Sequence, residues 1–138
     1  MKANKLMTRD VHVVSPDQSI REVALAMAKL DAGSMPVGEK DRLVGMITDR
    51  DIVLRAVAEG LPPNTPVRDV MTQEVKYCFD DEEIEDICQN MGDAQIRRLP
   101  VVNRDKRLVG ILSLGDIALS STASKAGNAL KGISQPTH

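Results

Sequence analysis

Apolar residues recur along this chain at helical and strand-like spacings, and each arrangement occurs twice. Ile20, Val23, Ala24 and Met27 stand at i, i+3, i+4 and i+7, and so do Ile84, Ile87, Cys88 and Met91. That period puts each set on one face of an amphipathic helix. Ser19-Ile20-Arg21-Glu22 opens the first helix as a capping box. The second opens on acidic residues, Asp80 to Glu83 with Glu85 and Asp86, which are favourable at the positive end of a helix dipole. Short apolar runs bounded by turn residues read as strands. They are Val11 to Val14, Met35 to Val37 and Leu43 to Ile47 around the first helix, and Val75 to Cys78, Leu99 to Val102 and Leu108 to Leu112 around the second. A closing helix follows each set, over Asp49 to Ala58 and from Leu114 to about Ser120.

The two sets are one pattern repeated. Met7-Thr8, Val11, Ile20 and Met35-Pro36-Val37 meet Met71-Thr72, Val75, Ile84 and Leu99-Pro100-Val101 at one constant interval, that from Met7 to Met71. From Gly45 to Gly110, and from Asp51 to Asp116, the interval is longer by a single position. One residue has therefore been gained in the turn holding Asn103-Arg104-Asp105, where surface insertions are tolerated. The pattern predicts an α+β fold of two β-α-β-β-α repeats, residues 7–59 and 71–121. Residues 60–70 form a stiff link whose Gly60, Pro62, Pro63 and Pro66 break any helix. Residues 122–138 form a tail with a weak helical pattern at Ala126, Ala129, Leu130 and Ile133. Each half is near the size at which one core is marginal, so the halves are expected to pack on each other.

Within the repeat one stretch carries chemistry. Gly45-Met46-Ile47-Thr48-Asp49-Arg50-Asp51 has a near-twin in Gly110-Ile111-Leu112-Ser113-Leu114-Gly115-Asp116. An apolar run into a hydroxyl, two spacers and an Asp reads as a buried strand turning into a helix. The hydroxyl then stands at the N-cap and the Asp at the third helical position. Such a helix start presents main-chain N–H groups to a phosphate. The plainer alternative is a capping box, in which Thr48 and Asp51 satisfy each other's backbone donors.

Composition narrows the function classes. In 138 residues the hydrophobic content is 42% but the aromatic content only 1%, from Tyr77 and Phe79, so the core must be aliphatic. A net charge of −2 leaves no electrostatic footprint for nucleic acid, and the scarcity of aromatics removes the stacking platform of single-strand binders. Cys78 and Cys88 read as buried small hydrophobes rather than as a disulfide framework or metal site. The absence of a membrane-length apolar run and of a signal-peptide core points to a cytoplasmic protein. No Gly-rich phosphate loop, metal-ligand cluster or catalytic Ser/His/Asp or Cys/His set is legible, so no catalytic residue and no metal are expected.

The ordered set of features resembles a tandem pair of cystathionine-β-synthase (CBS) domains, a Bateman module, over about residues 5–121. It rests on the two motif stretches, Val70-Met71-Thr72 and the Met35-Pro36-Val37 and Leu99-Pro100-Val101 strands. The resemblance implies two repeats packed about a pseudo-twofold axis, with clefts between them that bind adenosine nucleotides or related ligands. The motif Asp would hold ribose hydroxyls, which a carboxylate can accept as a pair. By position, one cleft would use Thr48 and Asp51, Arg50 for phosphate, the backbone of Met46 and Ile47, and Thr72, Val75, Ile96 and Arg97 around the base, with Arg98 in reach of phosphate. The other would use Ser113 and Asp116, with Thr8, Val11, His12, Ala32 and Gly33 around the base. Gly115 stands where Arg50 does and Ser34 where Arg98 does, so the first cleft is the better equipped for a polyphosphate.

With the doubled motif and no catalytic constellation, the resemblance implies a stand-alone regulatory sensor of AMP, ADP, ATP or a related compound such as NAD or S-adenosylmethionine. The nucleotide would be a regulatory ligand, no cofactor would be required, and a regulated protein would lie downstream. The competing reading is a constitutive dimerisation module without ligand. A homodimer is expected in either case, because the motif helix carries more apolar surface than one small chain covers.

Overall fold

The computed structural model describes residues 1–94, 96–118 and 133. Its α+β architecture divides into two compact units, a middle unit of His12–Val75 and a split unit of Met1–Val11 with Lys76–His138.

The middle unit contains helix α1 (Ile20–Leu30), strands β1 (Ser34–Glu39) and β2 (Arg42–Thr48), and helix α2 (Asp49–Asp51), which runs on as a π-helix over Ile52–Val57. Only half of the expected box forms at α1: Ser19 caps the helix by accepting from the Glu22 N–H, but the Glu22 carboxylate takes the Gln18 amide instead of the Ser19 N–H. Strands β1 and β2 pair antiparallel, with Ser34 opposite Thr48 and Val37 opposite Gly45. Their turn residues Lys40 and Asp41 both have positive φ, 54° and 63°, a backbone handedness that matches the strand twist. The core is aliphatic, as composition requires: Val14, Ile20, Val23, Met27, Met35, Val37, Ile47, Ala56, Val67 and Val70.

The split unit contains β3 (Cys78–Phe79), α3 (Ile84–Ala94), β4 (Arg98–Val102), β5 (Leu108–Ser113) and α4 (Leu114–Ala118). Its sheet order is β3-β4-β5, with β3 parallel to β4 and β4 antiparallel to β5. Val102 pairs with Leu108 and leaves the turn Asn103 to Arg107 between them, one residue more than the Gly38–Leu43 pair spans. The Asn103 side chain closes that turn by accepting from the Asp105 and Arg107 N–H groups. At the β3 edge Arg104 lies 4.1 Å over the Phe79 ring and holds Asp81 through two bonds of 2.7 and 2.9 Å, which keeps the Asp81 carboxyl below its ordinary range.

Each unit takes its opening segment from in front of the other repeat. In the middle unit the Ile20 N–H donates to Thr65 O, Val67 N–H to Gln18 O, and Met46 and Thr72 exchange two bonds of 2.9 Å. The split unit repeats the arrangement at the equivalent positions. There Ile84 N–H donates to Met1 O, Ala3 N–H to Glu82 O, and Ile111 and Thr8 exchange bonds of 3.0 and 2.8 Å. The units are thus offset from the sequence repeats. Residues 65–70 of the link are part of the middle unit, with Val67 and Val70 buried in its core.

Four further expectations are corrected. Val11 to Val14 is not a strand: only Val14 pairs, by a single bridge to Val37, because no neighbouring strand runs beside the residues before it. Likewise Val75 to Cys78 shrinks to Cys78–Phe79, the two residues that find partners on β4. The helix expected over Asp49 to Ala58 widens after its first turn, its final N–H bonds running Ala58 to Val53 and Leu61 to Ala56. Ala24, placed on the core face of α1, is exposed. The end of α4 beyond Ala118 and the helical pattern of the tail lie outside the described residues, apart from Ile133.

Cys78 and Cys88 are both buried. Burial, with help from Glu82 and Asp80, pushes the Cys78 thiol up from its ordinary 9.0 to about 12. A thiol with a raised folded pKa holds its proton more tightly when folded, so its contribution is full below pH 9.0 and is lost as pH rises toward about 12. Thermal melts should therefore show the parent losing stability above about pH 9 more steeply than Cys78→Ala. Parallel curves would remove this cause.

Candidate functional site

The motif stretch builds the same device in both units. In the middle unit β2 ends at Thr48, whose Oγ1 accepts the Asp51 N–H at 3.0 Å while Asp51 Oδ2 accepts the Thr48 N–H at 3.0 Å. In the split unit Ser113 Oγ accepts the Asp116 N–H at 3.1 Å, and Asp116 Oδ2 accepts the Ser113 N–H at 3.0 Å. The capping box is real in both copies. It uses one oxygen of each carboxylate. The second oxygen of Asp51 lies 3.8 Å from Arg55 Nε, and the Arg55 guanidinium also reaches the Val70 and Met71 carbonyls at 3.4 and 3.5 Å. The Asp51 side chain is 14% exposed, so it is shielded yet reachable.

The motif glycines are fixed by close packing. A Cβ on Gly45 would lie 2.8 Å from Met71 Sδ and 2.8 Å from the Thr72 carbonyl oxygen. On Gly110 it would meet Met7 Sδ and the Thr8 carbonyl oxygen at the same 2.8 Å. The exchanged segments run directly over the motif strands, and only glycine leaves room.

The middle unit gathers Met46, Ile47, Thr48, Arg50, Asp51, Thr72 and Val75, together with His12, Ala32 and Gly33. Ile47 is core, Thr48 and Thr72 are half-buried, Arg50 is exposed, and Met46 bridges Thr72. The Gly33 carbonyl accepts the Asp49 N–H at 2.9 Å, which ties the β1 entry to the helix start of its own unit. His12 is exposed and Ala32 packs partly against the core.

The split unit gathers Thr8, Val11, Ser113 and Asp116 with Ile96, Arg97 and Arg98. Arg98 is the register partner of Ser113, and the Arg97 carbonyl accepts the Leu114 N–H at 3.0 Å. Ile96 packs partly against the core, and both arginine side chains are exposed.

Two residues escaped the sequence reading. Asp49 places Oδ1 2.8 Å from the Arg50 N–H, and Arg55 joins the motif helix to the exchanged segment. The spacing Thr-Asp-Arg-Asp carries a signal for the first, since a carboxylate at the opening helical position is a common cap. Nothing in the sequence points to the second. Among the described residues no group of three His, Cys, Asp or Glu stands together as a metal site, and no helix is long and apolar enough to cross a membrane.

Comparison with known proteins converges on the same motif. The family model of the CBS domain matches residues 3–57 and 67–121. A CBS domain-containing protein of Bacillus subtilis, YhcV, is 45% identical over 129 residues, 93% of this chain and 91% of its own length. Among solved structures, the CBS domain protein PAE2072 from Pyrobaculum aerophilum complexed with AMP is similar at a TM-score of 0.78 and 26% identity, covering 92% of this chain and 98% of that one. The CBS domain pair of protein MJ0100, in complex with 5′-methylthioadenosine and S-adenosyl-L-methionine, is similar at a TM-score of 0.74 and 26% identity, covering 86% and 93%.

Proposed function

The chain belongs to the CBS-domain family, with two CBS domains in tandem, and from that premise we propose that it is a regulatory protein that binds adenosine-containing ligands at its two motif sites. The observation that carries the reading is the doubled box, in which the cap takes one oxygen of each carboxylate; the other oxygen, which in Asp51 lies 3.8 Å from Arg55, is the one proposed for a ligand. Such an oxygen, half-shielded at a helix start, accepts ribose hydroxyls by charge-assisted hydrogen bonds. Similar proteins that hold AMP, or 5′-methylthioadenosine and S-adenosylmethionine, support the ligand class. Met46, Thr48, Arg50, Asp51 and Thr72 are the residues proposed for one site, and Thr8, Val11, Ser113 and Asp116 for the other. The role is regulatory, the nucleotide is the signal, and a partner protein is its target.

Calorimetric titration with adenosine, AMP, ADP, ATP, NAD and S-adenosylmethionine tests this. At least one should bind with measurable heat and raise the melting temperature. Silence from all of them would favour the alternative, a constitutive dimerisation module. A dimer, expected under either reading, has its own support in Val53, Leu54 and Val57, which are 54%, 48% and 68% exposed on the helix Ile52–Val57. We propose that a second copy covers this face. Sedimentation should show a species heavier than the 15.0 kDa chain at micromolar concentration, and Leu54→Glu should dissociate it. A 15.0 kDa species throughout would count against the dimer.

A further inference from the structure

We propose that Asp49 makes the Thr48–Asp51 site select adenosine compounds without a phosphate. The inference rests on reading that site as an adenosine site and narrows its ligand. With the ribose on Asp51, a 5′-phosphate would look for main-chain donors in the first turn of the helix. Each of them is already taken within the unit. The Asp49 N–H donates to Gly33 O at 2.9 Å, the Arg50 N–H to Asp49 Oδ1 at 2.8 Å, and the Asp51 N–H to Thr48 Oγ1 at 3.0 Å. The Asp49 carboxylate thus stands in the place of the anion.

The local packing makes room for it. A Cβ on Gly33 would lie 3.2 Å from Asp49 Oδ2, so the missing side chain keeps the carboxylate's place open. The split unit lacks the arrangement. Arg97 replaces Gly33, Leu114 replaces Asp49, and among the described residues no acceptor meets the Gly115 N–H.

A phosphate entering at Thr48–Asp51 must displace Asp49 and then lie beside two carboxylates, Asp49 and Asp51. The cations on the same helix are the exposed Arg50 and Arg55, and Arg55 is already engaged with Asp51 and the Val70 and Met71 carbonyls. They offset part of the charge but free no main-chain donor. A neutral thioether or a cationic sulfonium at the 5′ position meets Asp49 without repulsion. Arg50, taken from sequence as a phosphate ligand, gives its main-chain N–H to Asp49 instead.

The test follows the Arg50 and Asp51 amide resonances while 5′-methylthioadenosine or AMP is added to the full chain, so that only this site is read. The parent should bind 5′-methylthioadenosine about tenfold or more tighter than AMP, and Asp49→Asn, which keeps the acceptor and removes the charge, should shrink that ratio by about tenfold. Asp49→Ala, checked by its melting curve, should shrink it further by opening the Arg50 N–H. Equal affinity for the two compounds in the parent, or a ratio unchanged in both variants, overturns the selectivity while leaving the adenosine site standing. If neither compound moves these amides, the adenosine site itself falls and the selectivity with it.

Discussion

Gly110→Ala and Gly45→Ala should each destabilise the protein by about 1–3 kcal/mol, which for a chain of this size lowers the melting temperature by roughly 3–12 °C. The added methyl would lie 2.8 Å from a methionine sulfur and 2.8 Å from a carbonyl oxygen at each position. The methionine ends can swing aside, because thioether side chains are flexible. The carbonyls cannot. Thr8 is held to Ile111, and Thr72 to Met46, by two main-chain bonds each, so the exchanged segment must move as a piece. Gly115→Ala is the control. Its Cβ would meet nothing closer than Ser113 Oγ at 3.5 Å, an ordinary contact. It lies within α4, where alanine is the better helix former by about 0.5–1 kcal/mol, so it should leave stability unchanged or raise it. Thermal melts of the three variants decide the matter. A Gly110→Ala protein that melts with the parent would mean the segment yields freely.

Asp51→Ala and Asp116→Ala should lose both stability and ligand affinity. In the proposed sites the cap and the ligand would use different oxygens of one carboxylate, so the two effects are not alternatives. Loss of the box should cost about 0.5–2 kcal/mol of folding stability. Loss of a charge-assisted bond to ribose, about 1.5–3 kcal/mol, should weaken binding at that site roughly 10- to 100-fold. The asparagine variants separate the two, since Asn keeps an oxygen for the strand-end N–H but carries no charge. Asp51→Asn and Asp116→Asn should therefore melt closer to the parent than the alanine variants while still binding weakly. Melting curves without ligand and titrations with adenosine compounds measure both. If alanine and asparagine variants alike bind as the parent does, the carboxylates are caps and nothing more.

Much of this molecule is local, and what is local was legible. The i, i+3, i+7 pattern put Ile20, Val23 and Met27 on the buried face of α1, and Ile84, Ile87 and Met91 on that of α3. Short apolar runs and turn residues located β1, β2, β4 and β5, and the single-residue shift between repeats fell in the Asn103–Arg107 turn. The capping box follows from the short spacing of a hydroxyl and a carboxylate. Long-range pairing was not legible. Whether residues near Val11 and Val75 form strands depends on which chain runs beside them, and a sequence pattern names no neighbour. The repeat interval is equally compatible with each repeat closing on its own opening segment or on the other's. Main-chain bonds such as Ile84 N–H to Met1 O settle it in favour of exchange. The motif glycines show the boundary most sharply. Their spacing was visible, but their necessity comes from a carbonyl delivered by a distant segment. Thr72 brings it to Gly45 from beyond the link, and Thr8 brings it to Gly110 from near the other end of the chain. Sequence determined the elements and the chemistry at their ends. Tertiary structure alone decided which oxygen meets which N–H, because hydrogen bonds are short and directional and the residues that share them lie far apart along the chain.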